Sequence, residues 1–282
     1  MPADLHLHST YSDGSYQPEE LLKLARSKGL DTIAIADHDT IKGSKKAIKI
    51  KDDYDVEVIP AIEFSTYKNK AEIHILGYYI DFANKQLKQE VDNIFQARIK
   101  RAEKMIDKLN KQGVAISLKE IKNKIEDEYI GRPHIAQEMI EKGYIDEIGE
   151  AFTDKYIGNN GQAYVSKYKL TPKKAIKIVK EAQGIPVVAH PGFINNGLPL
   201  NKEDIKEMKK SGLEGIEVFH SRHSSDERAY YRSVAEELDL VITGGSDFHG
   251  DKTPEIELGD VNLNIKYVDD LKVKSEIHKN NK

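Results

Sequence analysis

The stretch DLHLHSTYSDGS at residues 4–15 alternates apolar and polar positions, then breaks into an aspartate beside a glycine. Period-2 alternation predicts a β-strand in which His6 and His8 share one face while Leu7 points the other way into packing. Two imidazoles at the end of a first strand, followed by Asp13 in a turn, call for an explanation from the rest of the chain. Working outward, DTIAIADHD (31–39), VEVIPAIEFS (56–65) and EIHILGYYI (72–80) read as three further strands. Between them lie the helical stretches QPEELLKLARSKG (17–29) and GSKKAIKIKDD (43–53). The same rhythm returns after residue 168. Helices at 171–184, 200–212 and 224–239 alternate with the strands IPVVAH (185–190), LEGIEVFH (213–220) and LVITGGSDFHG (240–250). Strand-then-helix repetition at this spacing predicts parallel strands with crossover helices. Seven such strands favour a (β/α)7 barrel over an open sheet.

Residues 85–167 differ in kind. QLKQEVDNIFQARIKRAEKMIDKLNKQG (86–113) reads as one long helix, followed by shorter ones at SLKEIKNKI (117–125), PHIAQEMIEKG (133–143) and IDEIGEAFTDKYI (145–157). The expected organisation is therefore a barrel built from 1–84 and 168–282, interrupted by an all-helical insertion at 85–167 that covers the active site.

Composition bounds the chemistry. The 282 residues are 39% hydrophobic, enough for a substantial core. No apolar run approaches the ~18 residues of a membrane span, and the start MPADLHLH lacks the basic and apolar regions of a secretory leader. A cytoplasmic protein is the expectation. There is no cysteine, so a metal would be held by histidine and carboxylate alone. A net charge of −4 lacks the global basic field of a general nucleic-acid binder. The locally basic KGSKKAIKIK (42–51) reads as a solvated helix face.

Six of the ten histidines fall on or just after expected strands: His6, His8, His38, His74, His190 and His249. Carboxylates accompany them at Asp13, Asp37, Asp39, Glu63 and Asp247. In parallel β/α folds the C-terminal strand ends converge on one face. Each residue alone has an ordinary reading; His74 by itself would be taken for a hydrogen-bonded strand residue. Crowding the whole set together without a cation would be costly, so a centre of two or three divalent ions is expected, with Mn, Zn or Fe suiting the nitrogen and oxygen donors. Glu63 is suited to bridge, since a carboxylate has two oxygens.

The blocks DLHLHSTYSDGS, IADHDT, AIEFS, EIHILGY, AHPG and GSDFHG, in this order, resemble the signature of the PHP (polymerase and histidinol phosphatase) superfamily. The resemblance implies a distorted seven-stranded barrel with a trinuclear metal centre. It assigns His6, His8, Glu63 and Asp247 to one ion, Asp13, His38 and His249 to a second, and Glu63, His74 and His190 to a third. The segment GRPHIA (131–136), with Arg98 and Arg101 on the preceding long helix, is similar to PHP proteins that act as phosphatases on nucleoside 3′,5′-bisphosphates or 5′-monophosphates and as 5′-to-3′ exoribonucleases. That likeness implies that Arg132 and His134 contact substrate phosphate. On the residues alone, RPH merely begins a helix.

The expected activity is a phosphomonoesterase working through a metal-activated hydroxide. Its expected substrates are nucleotides or short 5′-phosphorylated RNA, not duplex DNA, and no membrane partner is expected. A metal-bound water, His134 or His223 would protonate the leaving oxygen. His220 and His223, in VFHSRHSS after the sixth strand, would hold substrate phosphate or protonate the leaving oxygen and Ser221 would donate to phosphate, or all three would be ordinary loop polarity. Asp37 and Asp39 would orient ligand imidazoles or cap a turn, and His278 would be a surface residue. The glycines at 14, 192, 244, 245 and 250 would give tight turns beside the metals. The alternatives are a histidinol-phosphate phosphatase, a polymerase-associated module, disfavoured by the lack of a further domain, and a non-catalytic metal- or nucleotide-binding regulator.

Overall fold

The computed structural model describes residues 2–69, 71–124, 130–195 and 197–280. Two compact units are distinguished by their contacts, one comprising residues 1–91 with 169–282 and the other residues 92–168.

In the first unit, β1 (Pro2–Leu7) is followed by α1 (Pro18–Ser27), β2 (Thr32–Ile35), α2 (Lys42–Ile50) and β3 (Glu57–Val58). Next come β4 (Ala61–Lys68) and β5 (Ala71–Tyr78), and then α3 (Lys85–Lys111), within which the division between units falls. The strands β1–β3 are parallel, and β1 is buried from Ala3 to Leu7, as a strand covered on both faces should be. The stretch expected as one strand at 56–65 divides at Pro60, which has no amide proton to donate to a ladder. Its first part joins the β3-β2-β1-β9 sheet, and its second part starts the β4-β5-β6-β7-β8 sheet.

The expectation of parallel strands throughout is corrected at β4 and β5. These pair antiparallel along their whole length, from Ala61 with Tyr78 to Lys68 with Ala71. Too few residues separate them for a crossover helix, which leaves a hairpin as the accessible connection. β5 is also antiparallel to β6 (Ile185–Val188). The parallel rhythm then resumes through α8 (Lys202–Lys210), β7 (Gly215–His220), α9 (Ser225–Glu237) and β8 (Val241–Gly245), with α7 (Pro172–Glu181) preceding β6. A short β9 (Leu263–Asn264), antiparallel to β1, leads into α10 (Ile265–Asn280). His278, expected as a surface residue, lies half-buried on α10, 2.8 Å from Glu214.

Among the described residues the sheets form no single closed ladder. They meet at both margins through single bridges, Leu7 with Phe248 and His38 with Glu63. Apolar side chains of both sheets, among them Leu5, Ala34, Leu76, Tyr78 and Val187, share one core cluster with Val268 and Leu271 of α10. Leu21, Leu22 and Ala25 of α1 cover the other face of β1 and β2.

The second unit holds most of α3 together with α4 (Leu118–Lys124), α5 (Arg132–Glu141) and α6 (Ile148–Ala151) around Met105, Leu109, Ile135, Met139 and Ile157. Ile125, the last residue of the stretch expected as the second helix, lies outside the described residues. The expected helix at 145–157 is mostly turns. Only Ile148–Ala151 is helical, and Gly158 N–H then donates to Thr153 in a tight local turn. No helix among the described residues is long and apolar enough to cross a membrane.

Candidate metal centre

The bridges between the sheets sit where the polar residues gather. β1 and the turn after it carry His6, His8 and Asp13. Past β2 comes His38, whose flanking backbone pairs with Glu63 through Asp39 N–H to Glu63 O at 2.8 Å. The chain past β8 supplies Asp247, whose N–H donates to His6 O at 2.9 Å. Three residues at these turns, Asp39 (φ 58°), His190 (φ 26°) and Asp247 (φ 59°), adopt left-handed backbone. Aspartate tolerates that region, whereas for His190 it is strain that the surroundings must hold.

Glu63 is fully buried at the centre. Its Oε2 lies 3.4 Å from His6 Nε2, 3.3 Å from His8 Nε2 and 3.0 Å from His38 Nδ1. Asp247 Oδ1 closes the first set at 3.6 Å from His6 Nε2 and 3.1 Å from His8 Nε2. The other oxygen, Oε1, forms a triangle with His74 Nδ1 at 3.1 Å and His190 Nε2 at 3.3 Å, and those two nitrogens are 3.2 Å apart. Asp13 faces His249 Nε2 at 3.3 Å and His38 Nε2 at 3.7 Å. Among the described residues, three overlapping groups each bring ligand atoms within 4.8 Å of one another: His8, Asp13, His38 and His249; His6, His8 and Asp247; His38, Glu63 and His74.

These residues fit divalent ions. Atoms bound about 2.1 Å from one ion stand about 3.0–3.4 Å apart, close to the separations observed. His6 Nε2, His8 Nε2, His38 Nδ1, Asp13 Oδ1 and Glu63 Oε2 are buried, and none makes a hydrogen bond. Lone pairs that converge without satisfying each other are what a cation requires. Three of the ring nitrogens facing away have acceptors. His8 Nδ1 lies 3.5 Å from Ser12 Oγ, His190 Nδ1 is 3.0 Å from Phe193 O, and His249 Nδ1 is 2.8 Å from Asp247 O. Such contacts place the proton on the far nitrogen and leave the near one free to coordinate.

The electrostatics agree. Burial opposes ionisation of Glu63 and Asp247, yet the imidazoles around them hold both carboxyls well below their usual range. Burial likewise disfavours charge on His8 and His74, but Asp247 and Glu63 around the first, and Glu63 and Glu72 around the second, raise both to about 10. Both pairs of shifts show a site whose carboxylates favour positive charge on the groups they face.

Several residues differ from expectation. Asp37 orients no imidazole directly; it accepts from Ser9 N–H, Ser9 Oγ and Ser12 Oγ at 2.7 Å each, and so acts on His8 through Ser12. Asp39 Oδ1 accepts from Ser65 N–H at 3.0 Å. His223 was expected to protonate a leaving group. Its Nδ1 lies 2.9 Å from Val218 O and its Nε2 accepts from Gly192 N–H at 3.1 Å. With both nitrogens engaged it ties β7 to the loop after β6, and in this arrangement it offers no proton to substrate. His220 is placed differently: buried, its Nδ1 accepts from Arg222 N–H at 3.2 Å, and its Nε2 lies 3.5 Å from Asp247 Oδ2. Ser221 Oγ donates to Ser246 O at 2.7 Å and keeps its lone pairs.

Arg132 and His134 lie in the helical unit, at the start of α5. Arg132 Nη1 donates to Ile157 O and Asn159 Oδ1, and its guanidinium lies 5.1 Å from the Phe152 ring centre. His134 Nδ1 accepts from Gly131 N–H at 3.0 Å, closing the first turn of the helix. Of the glycines, Gly250 has φ 70°, as a tight turn requires, whereas Gly14 is needed because a Cβ there would lie 2.1 Å from His8 O.

Two carboxylates were missed. Asp4, fully buried on β1, accepts from Ser246 N–H at 2.9 Å and Gly259 N–H at 2.8 Å. Glu217, fully buried on β7, contacts both His6 and His190. The signal was available, since an acid inside an apolar strand such as GIEVF is costly unless partnered.

Comparisons with known proteins follow this geometry. The chain is 32% identical over 246 residues to a 5′-3′ exoribonuclease of Haemophilus influenzae, covering 87% of this chain and 89% of that protein. It is 29% identical over 247 residues to a 3′,5′-nucleoside bisphosphate phosphatase of Chromobacterium violaceum, covering 87% and 86%. A crystal structure from Bifidobacterium adolescentis, of a protein taken for a metal-dependent phosphoesterase, superposes with a TM-score of 0.82 at 29% identity over 97% of this chain and 98% of that one. The sequence profile described as PHP domain matches residues 4–186, and with these relatives it shows that the chain belongs to the PHP family.

Proposed function

We propose that this protein is a metal-dependent phosphoesterase that removes phosphate from nucleotides, with nucleoside 3′,5′-bisphosphates and 5′-mononucleotides as the first substrates to test and 5′-phosphorylated RNA ends as the next. The observation that carries this reading is Glu63, whose two oxygens face two different sets of imidazoles at 3.0–3.4 Å. That arrangement suits adjacent ions sharing one carboxylate. The names of the Haemophilus and Chromobacterium relatives supply the substrate class.

In this reading His6, His8, Glu63 and Asp247 hold one ion, Asp13, His38 and His249 a second, and Glu63, His74 and His190 a third, with Mn, Zn or Fe all compatible with the donors. Bound divalent ions would neutralise phosphoryl oxygens and acidify water as Lewis acids. The chain's own groups do the rest. His220 carries a proton on Nε2, because its Nδ1 accepts from Arg222 N–H, and is the best-placed imidazole to donate to an oxygen at the centre. Ser221 Oγ, whose proton goes to Ser246 O, adds only lone pairs beside it. Contact of Arg132 and His134 with substrate phosphate rests on the sequence resemblance of GRPHIA. The two sheets are read as a barrel whose ladders are interrupted, formed by 1–84 and 168–282, with 85–167 as a helical insertion.

The test is a substrate panel on metal-loaded and chelated protein: adenosine 3′,5′-bisphosphate, AMP, a short 5′-phosphorylated RNA and histidinol phosphate. Metal-dependent release of phosphate or mononucleotide from the first three is expected. Turnover of histidinol phosphate alone would replace this reading, and bound metal without turnover of any would make the protein a binder. Arg132→Ala is expected to raise KM for nucleotides with metal content intact; wild-type kinetics in that variant would remove Arg132 from the site.

A further inference from the structure

One buried carboxylate lies behind two of the candidate ligands and is not itself among them. Glu217 Oε1 lies 2.9 Å from His6 Nδ1, and Glu217 Oε2 accepts from His190 N–H at 2.8 Å. All three residues are buried, with Glu217 and His6 fully so. β7 brings Glu217 here because alternation puts Ile216 and Val218 on the opposite face.

We propose that Glu217 is the positioning residue of the centre, fixing His6 in the tautomer that coordinates metal and holding His190 in its left-handed backbone conformation. The proposal rests on the metal-centre reading above. Both groups facing Glu217 donate to it. The His190 amide has no other role available to it, and a carboxylate oxygen can only accept, so His6 keeps its proton on Nδ1. His6 Nε2, 3.4 Å from Glu63 and 3.6 Å from Asp247, is then a bare lone pair aimed at those carboxylates. The second oxygen restrains His190 at φ 26°, where the residue's own preferences would not keep it.

The arrangement makes a nearly isosteric substitution informative. In Glu217→Gln the amide oxygen must face the His190 N–H, because that donor cannot change. The amide NH2 is then forced onto His6 Nδ1, which must become an acceptor and move its proton to Nε2. That nitrogen can no longer bind a metal without losing the proton. The side-chain volume is unchanged, but in the metal-free protein buried His6 loses its carboxylate partner, so the metal-free fold is expected to be less stable yet still formed.

The experiment uses the full chain, stripped with chelator and titrated with Co2+, read by visible absorption and calorimetry, alongside the thermal midpoint of the metal-free protein. Wild type should bind more than one ion. E217Q should bind at least one of them about 10–100-fold more weakly, with a metal-free protein that still melts cooperatively at a lower midpoint. Equal affinities would overturn the proposal, as would a weakened affinity in a variant that no longer melts cooperatively without metal. A measurement independent of the variant is nitrogen NMR of histidine-labelled, zinc-loaded wild type. His6 protonated at Nδ1 is expected, and a proton on Nε2 would overturn the proposal. A wild type that binds no Co2+ would instead sink the metal-centre reading and this proposal with it.

Discussion

A Cβ built on Gly245 would fall 2.4 Å from the backbone nitrogen of His6 and 2.3 Å from its Cβ. The end of β8 thus presses on the end of β1 with no room for a side chain, where the first two candidate ligands leave the strand. Backbone on one side of the contact cannot give way as a flexible side chain would. Gly245→Ala is expected to destabilise the protein by about 1–3 kcal/mol in urea unfolding and to weaken metal binding at the same time. Wild-type stability in that variant would show that the two strands can separate at no cost.

Glu63→Gln removes the charge that faces five imidazoles and leaves an amide nitrogen where one lone pair is needed. Because its oxygens face two sets of ligands, the loss should extend beyond one ion. The expected result, by elemental analysis of purified protein, is a stoichiometry reduced by more than one, with turnover lower by at least about 100-fold. Loss of a single ion would argue against a bridging role.

In the metal-free protein, His8 and His74 are raised to about 10 by the carboxylates around them, although burial opposes this. Their unfolded value is about 6.5. A raised folded value means that the stabilisation from their protonation is fully present below about pH 6.5 and is lost as pH rises towards 10. Chelated protein should therefore melt at progressively lower temperature between pH 7 and 9.5, and metal-loaded protein should not. Uptake of Zn2+ at pH 7 should also release protons, detectable as a buffer-dependent calorimetric heat. Heats that are the same in buffers of different ionisation enthalpy would contradict this.

His223 works in the opposite direction. Burial holds its pKa below the ordinary value. The unfolded chain then binds more protons than the folded one just below about pH 6.5, so stability falls as pH falls through that range. Melting wild type and His223→Gln from pH 7.5 to 5 should show the variant less stable at the upper end, with the difference narrowing towards the lower. A difference independent of pH would mean that His223 is not held neutral.

Much of this centre was legible in the sequence because strand periodicity and residue chemistry are local properties. The alternation of DLHLH set His6 and His8 on one side, and imidazoles and carboxylates at successive strand ends pointed to metal without any contact being known. Direction of pairing was less accessible. EIHILGY reads as a strand in either sense, and only the short link from β4 decides that it turns back as a hairpin, carrying His74 in mid-strand to Glu63 Oε1.

His220 and His223 show where the sequence stops informing. They stand three residues apart, His220 closing β7 and His223 in the loop beyond it, and as imidazoles they have the same chemistry. Tertiary contacts separate them: Val218 O and Gly192 N–H occupy both nitrogens of His223, while His220 keeps Nε2 towards Asp247. Which nitrogen of an imidazole is free depends on partners far along the chain, as with Glu217, 211 residues from His6. Residue type and period determined which groups could gather at the strand ends. Long-range packing alone decided which lone pairs face inward, because a proton's position follows from the nearest donor or acceptor in space and not from the neighbour in sequence.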